Sequence, residues 1–295
     1  MNAAARVVDA TKRFGSTQAL DGLNLEIAAG RVTALLGSNG AGKTTTISML
    51  LGLTSPDSGQ VELFGRSPHE VTARQRMGVM LQSAVLPETL RVGELLTLTR
   101  AYYPRPAPFD QIAQTAGITD LLHRLYGRLS GGQQRRVQFA LSLCGNPDLL
   151  CLDEPTVGLD TESRASVWQA IRSRVSDGCA VLLTTHYLEE AEALADRVAV
   201  IVRGRVVMTG TVDEVRALST AGRIRCITTL STEAVAKWQG VDTVTRAGEY
   251  LQLETAVTEK IVQRLFQADP SLSALEVRRG GLAEALSRIS AEELQ

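Results

Sequence analysis

The sequence predicts an α/β protein whose parallel strands are covered on both faces. Three observations carry that prediction. Apolar runs of strand length recur at 32–36, 77–81, 149–152, 179–184 and 197–202. Helical patterns lie between them, the alternation expected when parallel strands are joined by crossovers. The first run also passes straight into a glycine-rich turn that opens a helical pattern.

In chain order, the stretch up to Val61-Glu62-Leu63-Phe64 is rich in strands and turns, punctuated by Gly15, Gly22, Gly30, Gly59 and Gly65, and predicts an antiparallel β subdomain fused to the core. The run 32–36 is the first core strand, and 45–51 belongs to the helix after it. From about 85 to 145 the pattern turns helical. Pro104, Pro106 and Pro108 must break this helical subdomain into separate helices, because proline lacks an N–H and clashes inside a helix. The runs at 149–152, 179–184 and 197–202 return to the core. After Leu218 the composition changes, and Ser219-Thr220-Ala221-Gly222 reads as a linker between a first domain at 1–219 and a second at 220–295. The second carries strand patterns at 224–230, 243–245, 250–254 and 275–277 and helical patterns at 233–238, 258–268 and 282–289, a small α+β domain.

With 295 residues, 44% of them hydrophobic, the chain can bury a large core. Its 31 basic and 32 acidic side chains give no basic excess, so no nucleic-acid partner is expected. Cys144, Cys151, Cys179 and Cys226 form no C-x-x-C pair, and three lie in apolar runs, as expected of buried, reduced thiols in a cytosolic protein. No run approaches the roughly 18 apolar residues that span a bilayer, so the chain is not expected to enter a membrane by itself.

The glycine-rich turn is Gly37-Ser38-Asn39-Gly40-Ala41-Gly42-Lys43-Thr44, between a strand and a helix. That is the context of a phosphate-binding loop. Its glycines let backbone N–H groups crowd around phosphate oxygens, the helix N-terminus adds positive dipole, and Lys43 adds a charge for the β and γ phosphates. Residues 37–45, ending in Thr44 and Thr45, are therefore the first candidate nucleotide-binding segment, with the Thr44 hydroxyl available to Mg²⁺.

The run 149–152 delivers Asp153 and Glu154 at its C-terminal end, the edge where open parallel sheets bind ligands. Alone, an Asp-Glu pair before Pro155 reads as a solvated strand end. After a phosphate loop the two carboxylates acquire separate tasks. Asp153 suits a Mg²⁺ that bridges phosphates, and Glu154 suits orientation and polarisation of an attacking water as a general base.

Leu129-Ser130-Gly131-Gly132-Gln133 opens another helical pattern. Ser130 is a natural N-cap. The two glycines also expose N–H groups at a positive helix end, an anion site. With the helical subdomain between them, this helix end and the phosphate loop are not expected to meet on one phosphate within a single protomer.

At residues 129–133 the chain resembles the ATP-binding subunit of ABC transporters, for which this run is the signature motif. The resemblance spans about residues 5–218. It implies a P-loop ABC ATPase core, two copies packed head to tail, and ATP held between one copy's phosphate loop and the other's Ser130, Gly131, Gly132 and Gln133. It further implies that Phe14, where the family more often has Tyr, stacks on adenine, although an ordinary core Phe would fit the same position. Gln82 matches the glutamine that touches Mg²⁺ or water and reports to the membrane partner. Gly158-Leu159-Asp160 resembles the loop that crosses the dimer interface, and His186 the switch histidine that contacts the γ-phosphate and holds Glu154 with its water. Glu154, His186 and Lys43 are thus the implied catalytic residues, and Thr44, Gln82 and Asp153 the implied Mg²⁺ set.

The second domain resembles, by layout, that of ABC-2-type exporter ATPases of the daunorubicin-resistance and sodium-extrusion kind. The implied function is ATP-driven efflux, with drugs or antibiotics as one cargo class, through a separate permease at the cytoplasmic face of the membrane, contacted between Gln82 and Gly93. Val85, Leu86, Leu90 and Val92 suit such a contact or a core equally. A soluble ABC ATPase acting on ribosomes or DNA and an importer subunit are the alternatives. The second domain's role stays open between dimer stabilisation and regulation.

Overall fold

The computed structural model describes residues 3–217, 222–278 and 281–292. Residues 219–221 of the expected linker lie outside them. Contacts divide the chain into two units, Met1–Thr211 and Val212–Gln295. The short helix 212–217 thereby joins the second unit.

The first unit opens with strands β1 (Ala3–Phe14) and β2 (Thr17–Ala28), paired antiparallel across the turn Gly15-Ser16. Strand β3 (Val32–Leu36) leads into helix α1 (Lys43–Leu50). After them come β4 (Ser58–Leu63), the single turn α2 (Val71–Arg74) and β5 (Met77–Met80). The helical stretch holds α3 (Val92–Arg100), α4 (Phe109–Thr115) and α5 (Gly131–Ser142). Pro104 and Pro106 lie between α3 and α4, and Pro108 is the N-cap of α4. The unit closes with β6 (Leu149–Asp153), α6 (Thr161–Ser176), β7 (Ala180–Thr184), α7 (Leu188–Leu194), β8 (Arg197–Val202) and β9 (Arg205–Gly210).

Strands β2-β1-β4 form an antiparallel sheet, and β5-β6-β7-β3-β8-β9 a six-stranded sheet, parallel except for β9. Because successive side chains point to opposite faces, the continuous apolar runs imply that both faces are covered. They are. Leu150, Leu152, Val181 and Leu183 join a core with α3, α5 and α6, where Phe139 is completely buried. Their neighbours Leu149, Cys151, Ala180 and Leu182 join a second core beneath α1 and the three-stranded sheet. Each such Leu contributes about 1.5–3 kcal/mol by leaving water.

Parallel pairing has one consequence for chemistry: β3, β5, β6 and β7 all end at the same edge. Asp153 lies opposite Thr184, and Thr184 opposite Leu35, the penultimate residue of β3. The phosphate loop, the Asp-Glu pair and the segments holding Gln82 and His186 therefore leave the sheet side by side.

The second unit holds α8 (Val212–Ala217), β10 (Gly222–Ile227), α9 (Thr232–Ala236), β11 (Val241–Ala247), β12 (Tyr250–Thr255), α10 (Thr258–Ala268), β13 (Ser273–Arg278) and α11 (Leu282–Glu292). Its antiparallel sheet, in the order β11-β12-β10-β13, packs Ile224, Cys226, Leu251 and Leu253 against Ile261 and Leu265 of α10. Strand β10 stops earlier than the apolar run 224–230 predicts. The reason is Asp269, which is 4% exposed and accepts bonds from Thr228 Oγ1, Thr229 N and Thr229 Oγ1, drawing those residues out of the ladder.

Candidate functional site: a phosphate loop beside an acidic strand end

Gly42 caps α1 with φ +115°, in a region that side-chain-bearing residues rarely enter. A Cβ there would lie 2.8 Å from the Ala19 carbonyl oxygen, so the loop is fixed by backbone proximity as well as conformation. At Gly37 a Cβ would meet the Ile201 carbonyl oxygen at 2.3 Å. Around this loop the Lys43 ammonium donates to the carbonyls of Gly37 at 2.7 Å and Ser38 at 3.0 Å. Burial pulls the Lys43 ammonium below its ordinary value, and the carboxylates of Glu154 and Asp153 pull the other way.

Lys43 opens onto a cleft of about 610 Å³ whose walls include Asn39, Gly40, Gly42, Thr44, Thr45, Gln82, Asp153, Glu154 and His186, with Thr17 and Ala19 from β2. Residues separated widely in sequence converge here because their strands end together. Asp153 is 6% exposed, and its Oδ1 accepts the Thr184 hydroxyl, which orients the carboxylate. Glu154 Oε1 lies 2.9 Å from His186 Nδ1, and Oε2 accepts Gln82 Nε2 at 3.3 Å. The Glu154 side chain is 12% exposed while His186 is 54% exposed, so the carboxylate is held inside and the imidazole at the mouth.

The backbone of Glu154 is left-handed, φ +52°, a conformation that costs a residue with a side chain about 1–3 kcal/mol and persists only where its surroundings impose it. Its N–H donates to the Thr184 carbonyl at 2.9 Å. Its own carbonyl and that of Asp153 accept bonds from Arg135 Nη2 at 2.5 and 2.6 Å. Arg135 is a residue the motif reading missed. Its signal was an arginine four positions before Phe139 on one face of α5, where only a partnered charge can be buried.

Ser130 caps α5. Its Oγ accepts Gln133 N at 3.3 Å while Gln133 Oε1 accepts Ser130 N at 3.1 Å, a reciprocal capping box. Ser130 and Gly131 are exposed, outside the cleft walls, and a Cβ on Gly131 would meet nothing within 4 Å. Gly132 faces the Gly158 carbonyl, 3.1 Å from where a Cβ would stand. Asp160 caps α6 by accepting Ser163 N at 2.7 Å.

Phe14 is 53% exposed and absent from the cleft walls, with the Lys12 ammonium 5.7 Å above its ring; its strand partner Thr17 does line the cleft. Of the apolar residues after Gln82, Val85 is 97% exposed and Val92 fully buried, with Leu86 and Leu90 packed against the core. Three of the four thus belong to or pack against the core, and Val85 is the exposed one.

The oxygen donors gathered in the cleft, the Thr44 hydroxyl and the Asp153 carboxylate with Gln82 beside them, fit a small hard cation shared with phosphate oxygens. Among the described residues no group of three or more His, Cys, Asp or Glu forms an all-protein cage for a metal.

A phosphate loop leading into α1 from a central parallel strand, with an acidic strand end beside it, defines a P-loop nucleotide-binding protein. Comparisons with known proteins narrow this further. The sequence pattern of the family described as ABC transporter matches residues 20–157. A daunorubicin resistance ATP-binding protein, DrrA3 of Streptomyces coeruleorubidus, is 42% identical over 231 residues, covering 75% of this chain and 72% of that protein. The Nod factor export ATP-binding protein I of Burkholderia lata is 42% identical over 209 residues, 68% of each chain. Among solved structures, an ATP binding subunit of an ABC transporter superposes with a TM-score of 0.67 at 27% identity, covering 72% of this chain and 92% of that one. The chain belongs to the ABC transporter family, as an ATP-binding subunit.

Proposed function

We propose that this chain hydrolyses ATP for an ABC-2-type exporter, as one of two copies packed head to tail beneath a separate membrane permease at the cytoplasmic face. The observation that carries the hydrolytic reading is the gripping of one carboxylate from two sides. Glu154 faces His186 with one oxygen and Gln82 with the other, in the cleft that Lys43 opens onto. A carboxylate so held is oriented as a base toward a water attacking the γ-phosphate. His186, with half its side chain exposed at the cleft mouth, would steady both the carboxylate and the phosphate.

Lys43 and the loop amides would bind the β and γ phosphates, and Phe14 would stack on adenine from beside Thr17. Mg²⁺, held by Thr44 and Asp153 with Gln82 nearby, would neutralise phosphate charge. Ser130, Gly131, Gly132 and Gln133 would serve the nucleotide bound by the other copy; the exposure of Ser130 and Gly131 supports this reading, because a capped helix end open to solvent is free to receive a phosphate. No helix of the described residues is long and apolar enough to cross a membrane. The relatives named for daunorubicin resistance and Nod factor export favour export over import or a soluble role.

The test is Glu154→Gln in the full chain, assayed for ATP turnover, nucleotide affinity and oligomeric state. The expected result is retained binding, lost turnover and an ATP-trapped dimer. Turnover at the parental rate would remove Glu154 from the role of base.

A further inference from the structure

Arg135 takes no part in the motif logic, yet it is the most heavily engaged side chain around the cleft. It grows from α5, is 8% exposed, and reaches two segments at once. Nη1 donates to the carbonyls of Leu81 at 3.2 Å and Gln82 at 3.5 Å, and Nη2 to those of Asp153 and Glu154. Gln138 Oε1, 3.0 Å from Nη1, orients the fork from the next turn of the same helix.

Two facts make this more than core packing. The residue whose carbonyl Arg135 holds is the left-handed Glu154, which needs its surroundings to impose that conformation. The second segment it holds is the one bearing Gln82, whose amide meets the same Glu154 carboxylate. One guanidinium thus fixes the backbones on both sides of a single side-chain contact. Only a planar fork does this, since a lysine ammonium could serve one segment but not both.

We infer that Arg135 is the positioning residue that sets Glu154 and Gln82 against each other, so that removing its fork lowers turnover while leaving nucleotide binding intact. This rests on Glu154 being the base.

The experiment compares Arg135→Met, Arg135→Lys and Glu154→Gln in the full chain, measuring kcat and KM for ATP, Kd for a fluorescent ATP analogue, and melting temperature. For a misplaced base the expected fall in kcat is about 10²-fold in Arg135→Met, with unchanged Kd, and a smaller fall in Arg135→Lys. Parental kcat in both Arg135 variants, with Glu154→Gln inactive, overturns this inference and leaves the base assignment standing. A loss of kcat matched by an equal loss of nucleotide affinity also overturns it. If Arg135→Met does not fold, Arg135→Lys decides alone: a lower kcat at unchanged Kd supports the inference and parental kcat refutes it. Full turnover in Glu154→Gln overturns the base assignment and the inference with it.

Discussion

His186 Nδ1 stands 2.9 Å from Glu154 Oε1, joining the segments that follow two adjacent parallel strands, β7 and β6. The pairing follows from register, because Asp153 and Thr184 lie opposite each other at the ends of those strands. Replacing His186 with Ala should lower kcat by about 10²–10³-fold, the usual cost of one stabilising donor, with little change in ATP affinity. Steady-state kinetics alongside equilibrium binding would check this, and an unaffected kcat would place His186 outside the reaction.

Lys43 is held over the loop by the Gly37 and Ser38 carbonyls and lines the cleft proposed to take the phosphates. Lys43→Ala should weaken nucleotide binding by about 1.5–3 kcal/mol, tenfold or more in Kd. Titration with a fluorescent ATP analogue reads this directly. An unchanged Kd would be incompatible with the phosphate-loop assignment.

Asp269 organises the end of β10 in the second unit. Bonds from Ser271, Thr228 and Thr229 hold its carboxyl well below the usual carboxylate range. A folded-state pKa below the unfolded one contributes stability that is present above the unfolded value of about 3.9 and is lost as pH falls through the lower folded value. Asp269→Asn should therefore lower the hydrogen-exchange protection of residues 222–278 at neutral pH. The gap from the parent should narrow once the pH drops below about 4. A gap that widens in acid would contradict the carboxylate's role.

The four cysteines are free and buried. Burial pushes the thiols of Cys144 and Cys151 up to about 12 and that of Cys179 to about 11, so they stay protonated at neutral pH. A thiol-reactive dye should label the native chain slowly and the urea-unfolded chain fully. Rapid native labelling of Cys151 would mean that the parallel sheet opens.

Much of this was legible in the sequence, for identifiable reasons. Leu149 to Leu152 read as a strand because a doubly covered strand must be apolar at every position. The phosphate loop was legible because glycine spacing encodes backbone geometry directly. The spacing of Arg135 from Phe139 hinted that it is buried, but its task was not legible, because apart from Gln138 its partners are the main-chain carbonyls of Leu81, Gln82, Asp153 and Glu154, and a carbonyl carries no residue identity. The early end of β10 was hidden for a related reason: Thr228 and Thr229 suit a strand, and only the folded chain brings Asp269 to them.

The central claim is that the signature residues of one copy complete the nucleotide site of the other. It is tested most directly by mixing full-length Ser130→Arg and Lys43→Ala chains and measuring ATP turnover. Each variant alone should form dimers with both sites disabled. Mixed dimers should recover activity, because the intact Lys43 of one chain then meets the intact Ser130 of the other. Mixed dimers as inactive as either parent would contradict the account.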